Sequence, residues 1–250
     1  MTVLSAIGML RHSNNQFPIG TAFLIHDSGL LASCFHVVAA LGPQPQGQRL
    51  EFQPLGTATP ITAIVTNMLD PQHDLALLQL TMPIKAAPLR LIRSTAIVPG
   101  TPFQLSGYGE TPAEPERFGF LSAHGSIVGR LELDGVVMLQ LSSKEILPGM
   151  SGGPVFVPGC NGVAGVLSGR YTIDPRRETR MGELAWAGFV DHLLPLEPIL
   201  MLHDCIAAQE PSGLSSGRTT ITIAEHKGDI LTDQASKTEY HYYGTTSRPE

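Results

Sequence analysis

The clearest chemical signal in the sequence is a serine set among glycines, Ser151 in the run Pro148-Gly-Met-Ser-Gly-Gly-Pro154. Glycine allows the backbone to turn so that several N–H groups face one point. The N–H groups of Gly149 and Ser151 could then hold a negatively charged oxygen beside the Ser151 hydroxyl. A serine hydroxyl is a weak nucleophile, so this chemistry also needs a base and a group that orients the base.

Candidates for both partners occur earlier in the chain. His36 lies within an apolar run and is the candidate base, and Asp74 directly precedes the apolar run 75–80. Asp70 is an alternative acid, but it precedes Pro71 and is typical of a turn. An aspartate that adjoins a buried strand needs a partner such as an imidazole, which favours Asp74.

Short apolar runs separated by turn-forming residues recur along the chain, which is typical of an all-β barrel or sandwich. Glycine and proline supply 26 and 20 of the 250 residues, a density that suits many turns. Asn161-Gly162 between two such runs predicts a two-residue hairpin turn. Residues 188–206 show helical spacing in places, although Pro195 and Pro198 limit any helix there.

Three segments together resemble the trypsin-like, chymotrypsin-fold serine proteases, and in particular their compact bacterial intracellular members. Residues 20–25 are similar to the glycine-threonine strand that precedes the histidine in that family. Asp74-Leu-Ala-Leu-Leu resembles its aspartate segment, and residues 149–154 resemble its Gly-x-Ser-Gly-Gly-Pro segment. The order His36, Asp74, Ser151 is also the family's order.

The resemblance implies an all-β fold of two packed six-stranded antiparallel β-barrels followed by a C-terminal helix. The expected domain is 1–208, with the barrels at roughly 1–95 and 96–190. Residues 211–217 are rich in glycine and serine, as flexible linkers are. Residues 209–250 are therefore predicted to be a linker with a flexible or β-prone tail, which could also bind a protein partner.

The resemblance also implies a function, that of a serine endopeptidase working through an acyl-enzyme in a bacterial intracellular signalling or defence context. Ser151 would be the nucleophile, His36 the general base and Asp74 its orienting group, with the Gly149 and Ser151 N–H groups as the oxyanion hole. A protein or peptide is the expected substrate, and no cofactor or metal is expected. The residues that the resemblance implies for binding the substrate backbone are Ser168, Gly169 and Arg170.

Met150 stands where the secreted members of that family have an acidic residue that pairs with a newly cut N-terminus. A thioether cannot form that ion pair. We therefore expect activation without N-terminal cleavage. Two alternatives for the serine loop stay open: apolar packing of Met150 preorganises it, or a binding partner orders it.

Two other functions are compatible with the motifs. The chain could be a gated, protease-like binding or sensing module with the same three residues. Residues 149–153 also match the Gly-x-Ser-x-Gly turn of α/β-hydrolase esterases, but that turn requires a helix directly after the serine. The Asn161-Gly162 hairpin signal favours a strand there instead.

Composition argues against several classes of partner. The net charge of −6 disfavours nucleic-acid binding. The longest apolar run, residues 30–41, is too short to span a bilayer, and no signal peptide is evident at the N-terminus. Three cysteines without a pairing pattern suggest a reducing compartment. The chain is thus expected to be cytoplasmic, with neither membrane nor nucleic acid as a partner.

Overall fold

Strands form nearly all of the regular structure in the computed structural model of the protein. The structure describes residues 3–13, 17–111, 114–133, 135–170, 184–197 and 199–204. The first six strands are β1 (Ile7–His12), β2 (Pro18–His26), β3 (Leu30–Ser33), β4 (Arg49–Pro54), β5 (Ile61–Asp70) and β6 (Leu75–Leu80). They pair in the order β1-β2-β3-β6-β5-β4 and close into a barrel. A short helix, α1 (Phe35–Ala39), directly follows β3.

A second six-stranded barrel follows the first along the chain. Its strands are β8 (Pro102–Thr111), β9 (Glu114–Leu133), β10 (Val136–Ser142), β11 (Pro154–Val157), β12 (Gly162–Arg170) and β13 (Leu184–Phe189). They pair in the order β11-β8-β9-β10-β13-β12, and pairing of β11 with β12 closes the ring. Two short strands, β7 (Leu91–Ile92) and β14 (Leu202–His203), extend the sheet beside β12 in parallel. The predicted architecture of two six-stranded antiparallel barrels is confirmed.

Each barrel is filled by its own apolar core. Phe23, Phe52 and Leu77 are fully buried in the first barrel. Phe103 and Leu141 are buried in the second. Burying a side chain of this size contributes about 1.5–3 kcal/mol relative to leaving it exposed. Such cores give the segments between the strands a rigid base, and the three candidate catalytic residues lie in these segments.

The hairpin predicted at Asn161 is present, but the turn differs from the expected type. β11 and β12 pair from Val157 to Gly162. Between them, a 3-10 helix covers Pro158–Cys160, and Asn161 follows it in the left-handed conformation with φ 47°. Asparagine tolerates this conformation better than most residues. The two-residue turn was therefore a wrong prediction, because three further residues form a helical turn before the asparagine.

The segment after the second barrel contains little helix in its described part. A 3-10 helix covers Val190–Leu193, a turn follows, and the chain then enters β14. Pro195 lacks an N–H donor and its ring crowds the preceding turn, so a helix cannot continue through it. The C-terminal helix expected here is thus a single 3-10 turn in the described residues. Positions 205–208 lie outside them.

The cysteines have different states. Cys34 is a free and buried thiol, whereas Cys160 is disulfide-bonded. No spacing in the sequence predicted this bond. Disulfides are rare in reducing compartments, so the bond does not fit the expectation of such an environment.

Contacts along the chain separate two units, Met1–Ala207 and Ala208–Glu250. The predicted linker and tail, residues 209–250, lie outside the described residues, and the division of the chain at 208 stays a prediction. None of the helices in the described residues has the length and hydrophobicity to span a lipid bilayer.

We expect a chain ending at residue 208 to unfold at the same temperature as the full chain, because linker composition predicts few contacts across the boundary. Calorimetry of the two chains under identical conditions measures this. A fall of more than about 4 °C, roughly 1 kcal/mol in a domain of this size, would show that the tail packs on the barrels.

Candidate active site

His36 is held at the junction between β3 and α1. Ser33 ends the strand, is fully buried, and donates its hydroxyl to the Thr21 carbonyl at 2.7 Å. Because His36 lies in the first turn of the helix, its backbone N–H has no partner within α1. That N–H donates instead to Asp74 Oδ1 at 2.8 Å. The backbone of His36 is therefore held in place independently of its side-chain contacts.

Asp74 ends the turn 71–74 between β5 and β6. Its φ of 54° lies in a region that residues with a Cβ rarely adopt. Besides the His36 N–H, its carboxylate accepts from His36 Nδ1 at 2.8 Å and from the Ser168 hydroxyl, both at Oδ2. A strained residue of this kind costs on the order of 1–3 kcal/mol and persists only where its surroundings enforce it. The three hydrogen bonds to its carboxylate hold Asp74 in place.

Ser151 lies in a loop that both barrels hold. Within the second barrel, the Gly152 N–H donates to the Leu167 carbonyl at 2.8 Å. From the first barrel, the Thr21 N–H donates to the Ser151 carbonyl at 2.8 Å. A Cβ added at Gly20 would lie 3.1 Å from the same carbonyl oxygen, which shows how closely β2 approaches. The position of the serine thus depends on contact between the barrels.

The turn that precedes Ser151 leaves two N–H donors open. Gly149 has a φ of 88°, and a Cβ there would lie 2.6 Å from the Phe118 ring. The next N–H, that of Met150, donates to the Leu147 carbonyl at 3.3 Å. Within the described part of the chain, no carbonyl accepts from the N–H of Gly149 or Ser151. These are the two donors that the sequence assigned to an oxyanion hole.

Met150 is fully buried and packs in the core of the second barrel. Its sulfur accepts the Leu147 N–H at 3.4 Å, which closes the loop on itself. A Cβ at Gly109 would lie 3.0 Å from the Met150 side chain, so β8 lies directly against it. This packing supports the alternative in which Met150 preorganises the loop.

Ser168 connects the acid to the serine. The pairing of β12 with β13 shifts register between Leu167 and Gly169, which leaves Ser168 at a bulge. Bulges redirect a residue away from the ladder. The Ser168 hydroxyl donates to Asp74, and its carbonyl accepts from Ser151 Oγ at 3.2 Å. The sequence implied only a substrate-binding role for Ser168, and its contact with Asp74 was missed.

The other two residues implied for substrate binding follow on the same strand. Gly169 lies opposite Trp186, and a Cβ at Gly169 would approach that ring to 2.7 Å. Arg170 pairs with Ala185 through the backbone. The strand therefore continues directly from the bulge at Ser168.

The imidazole of His36 faces Cys34 on the side away from Asp74. Its Nε2 lies 3.8 Å from Cys34 Sγ. Burial favours the neutral ring and lowers the pKa of His36, whereas the hydrogen bond and the charge of Asp74 raise it. Burial also raises the pKa of the Cys34 thiol, which keeps it protonated at neutral pH. The Asp74 carboxylate is thus the anion that favours protonated His36.

Cys34, His36 and Asp74 form the one group of potential metal ligands found among the described residues, with ligand atoms within 4.8 Å of one another. Their donor types suit a zinc ion. His36 and Asp74 already satisfy each other through two hydrogen bonds, so the arrangement has its partners within the protein. The approach of the Cys34 thiol to His36 Nε2 could not be anticipated, because it depends on how α1 leaves β3.

The alternative acid, Asp70, has a different partner. Its carboxylate accepts the His73 N–H at 3.0 Å and His73 Nδ1 at 2.6 Å. Hydrogen bonds therefore link His36, Asp74, Ser168 and Ser151 in the structure, whereas Asp70 bonds to His73.

Comparison with known families identifies the domain. The model of the trypsin-like peptidase domain matches residues 20–166, more than half of the chain. The protein belongs to the trypsin-like peptidase domain family.

Among solved structures, this trypsin-like peptidase domain resembles the HtrA-type protease AlgW with decapeptide. The TM-score is 0.59 and the sequence identity 17%, over 78% of this chain and 64% of that chain. At this identity the likeness concerns the fold. A search of curated proteins found no significant match.

The α/β-hydrolase alternative does not agree with this trypsin-like fold. An α/β-hydrolase requires a helix after its serine turn, whereas here the loop of Ser151 leads into the strand β11. The helix that the esterase interpretation needs after Ser151 is therefore replaced by a strand.

Replacement of Gly149 should destabilise the serine loop of the peptidase domain. Gly149→Ala places a Cβ against Phe118 at a positive φ, so we expect a loss of about 1–3 kcal/mol in unfolding free energy. Gly129→Ala is the matched control, because a Cβ there meets nothing within 4 Å. Its effect should stay within about 0.5 kcal/mol. Equal stability of the two variants in urea unfolding would contradict the clash.

Proposed function

We propose that this trypsin-like domain is a serine endopeptidase that cleaves peptide bonds through an acyl-enzyme on Ser151. The observation that carries the proposal is the convergence of three separate segments. β3–α1, the turn 71–74 and the serine loop bring an imidazole, a carboxylate and a hydroxyl together beside two open N–H donors. Nucleophile, base, orienting acid and oxyanion donors are the parts that acyl transfer requires.

The first step is attack by Ser151 Oγ on the carbonyl carbon of the substrate. In the structure this hydroxyl donates to the Ser168 carbonyl. Rotation about the serine side chain must release that bond and direct the proton toward His36 Nε2. The proton then passes to the imidazole as the new C–O bond forms, and His36 later returns it to the leaving amine.

Asp74 prepares His36 for this exchange. Its hydrogen bond with Nδ1 keeps the Nδ1 proton in place, which leaves the Nε2 lone pair free to act as a base. The same carboxylate raises the pKa of His36, so the imidazolium formed during attack is stabilised. Ser168 contributes by donating to the carboxylate, which fixes its direction.

The negative charge that develops on the substrate oxygen needs donors that are already in place. The N–H groups of Gly149 and Ser151 meet this need, and losing one such donor typically costs about 2.7–4 kcal/mol of transition-state stabilisation. The buried side chain of Met150 holds the backbone between them. On this basis activation requires neither N-terminal cleavage nor a partner.

A protein or peptide is the proposed substrate. An extended peptide can pair with a strand that follows the site, and Ser168, Gly169 and Arg170 are proposed to provide that pairing. The solved neighbour AlgW carries a decapeptide, which supports a peptide ligand here.

Binding of a further protein through 209–250 is part of the same proposal. So is an intracellular signalling or defence role in the cytoplasm, although the disulfide at Cys160 weighs against a reducing location.

A gated binding or sensing module is the second candidate, and one observation favours it. Ser151 Oγ donates to Ser168 and His36 Nε2 faces Cys34. The nucleophile and the base are thus each in contact with another group. A module that stays in this state would bind peptides without cleaving them.

A fluorophosphonate probe separates the two functions. An active peptidase should be labelled at Ser151 and should hydrolyse a peptide ester, whereas Ser151→Ala should lose both activities with an unchanged unfolding temperature. The loss in kcat should be on the order of 10⁶-fold, the scale set by removing the nucleophile in other serine proteases. Ser215→Ala, in the linker, is the control. Wild-type protein that resists labelling would contradict the peptidase proposal and favour the gated module.

The two candidate acids provide a matched pair of variants. Asp74→Asn should reduce kcat by about 10⁴-fold, because an amide favours the wrong tautomer of His36. Asp70→Asn keeps an oxygen for the His73 N–H and should reduce kcat far less. Initial rates with the same ester substrate measure both. If Asp70→Asn were the more damaging change, the assignment of Asp74 would be wrong.

A further inference from the structure

A second set of acidic and imidazole side chains, those of Asp70, His73 and His192, adjoins the turn that carries Asp74. Asp70 accepts two hydrogen bonds from His73, one from its backbone N–H and one from Nδ1. These bonds close the turn 71–74 from within. They also fix the direction of the His73 ring one residue before the strained aspartate.

The His73 ring stacks on the ring of His192. The ring centroids are 3.6 Å apart and the planes differ by 16°. His192 belongs to the 3-10 helix Val190–Leu193, which leaves the second barrel after β13. Phe189 meets the edge of the His192 ring at a centroid distance of 6.4 Å. The stacked pair thus joins the aspartate turn of the first barrel to the end of the second.

Strand β13 supports the same turn from another side. A Cβ added at Gly188 would lie 2.6 Å from the His73 carbonyl oxygen, so the backbone of the strand touches the turn. The next residue in the chain is Asp74, whose φ is 54°. Because such a conformation persists only under constraint, the contacts of His73 with its surroundings bear on the position of Asp74.

We propose that His73 and His192 are positioning residues, whose stacked rings hold the turn so that Asp74 presents its carboxylate to His36, and that acid releases this hold. The inference rests on the proposed function, because positioning matters for activity only if Asp74 orients His36 during catalysis. Both histidines act through Asp74.

The charged groups around His192 determine how the stack responds to acid. Asp70 and His73 face it from the turn, and Asp191 precedes it in its own helix. Arg130 lies across the neighbouring phenylalanine ring, with its guanidinium 5.2 Å from the centroid. Burial, and after it the charge of His73, lower the pKa of His192, while the two carboxylates act in the opposite direction.

The sign of the pH effect follows from that direction. A histidine whose pKa is lowered in the folded state binds a proton more readily once the stack opens. The stacked arrangement is therefore fully favoured above the ordinary histidine pKa of about 6.5 and loses stability as the pH falls below it.

The test compares kcat/KM of the full chain on a peptide ester between about pH 5 and pH 9 for the wild type, His192→Ala and His192→Phe. His192→Ala should lower kcat about tenfold at neutral pH with little change in KM, a loss typical of a misplaced catalytic group. His192→Phe keeps a stacked ring and should restore most of that activity. In acid, log(kcat/KM) of the wild type should fall more steeply than that of His192→Phe, by up to about one further log unit, because release of the stack adds to the protonation of His36.

Equal acid slopes in the wild type and His192→Phe would overturn the proposal, and so would an unchanged kcat in His192→Ala. If His192→Ala fails to fold, the comparison of acid slopes between the wild type and His192→Phe still tests the proposal. His26→Ala, whose side chain bonds to Ser28 in a surface turn, is the control and should match the wild type.

A spectroscopic measurement separates failure of this inference from failure of the proposed function. In Ser151→Ala protein, NMR should detect the Nδ1 proton that His36 shares with Asp74. That resonance should broaden at a higher pH than in Ser151→Ala/His192→Phe. If the wild type shows no peptidase activity but this resonance still differs between the two proteins, the positioning role is supported and only the proposed activity is rejected. Identical behaviour of the two proteins would reject the positioning role.

Discussion

The carboxylate of Asp74 is the constraint on which the rest of the site depends. It is largely buried, and a buried carboxylate is costly unless hydrogen bonds replace the lost water. The backbone N–H and Nδ1 of His36, together with the Ser168 hydroxyl, replace it. Three segments distant in sequence, those of His36, Asp74 and Ser168, therefore meet at this carboxylate.

The serine loop obeys a related constraint. Its carbonyl at Ser151 is satisfied by the Thr21 N–H of the first barrel, while the neighbouring glycine bonds within the second. Neither barrel alone satisfies both groups. The geometry around Ser151 thus depends on both barrels packed together. A substitution where the barrels meet should alter the position of Ser151 more than it alters either core.

Ser151 and Asp74 share one hydrogen-bonding partner. The hydroxyl of Ser151 and the carboxylate of Asp74 both bond to Ser168, one through its carbonyl and the other through its hydroxyl. Ser168 thereby holds nucleophile and acid at a fixed separation. A rotation of the Ser151 side chain releases its hydroxyl from the Ser168 carbonyl, and such rotations are fast compared with enzyme turnover.

The sequence by itself determined much of this protein. Short apolar runs and frequent glycine and proline predicted an all-β barrel or sandwich, because strand length and turn chemistry are local properties. The glycines around Ser151 predicted a turn with open N–H donors for the same reason. The resemblance to the trypsin-like proteases implied the two six-stranded barrels. The preference for Asp74 over Asp70 came from its place beside a buried strand, and the structure puts Asp74, not Asp70, against His36.

Only the tertiary structure decided the remaining features. The hydroxyl of Ser168 reaches Asp74 because β12 bulges against β13, and the stack of His73 on His192 joins residues more than a hundred positions apart. The closeness of Cys34 to His36 Nε2 depends on how α1 leaves its strand. These contacts arise from register and packing between elements, which no local pattern in the sequence encodes.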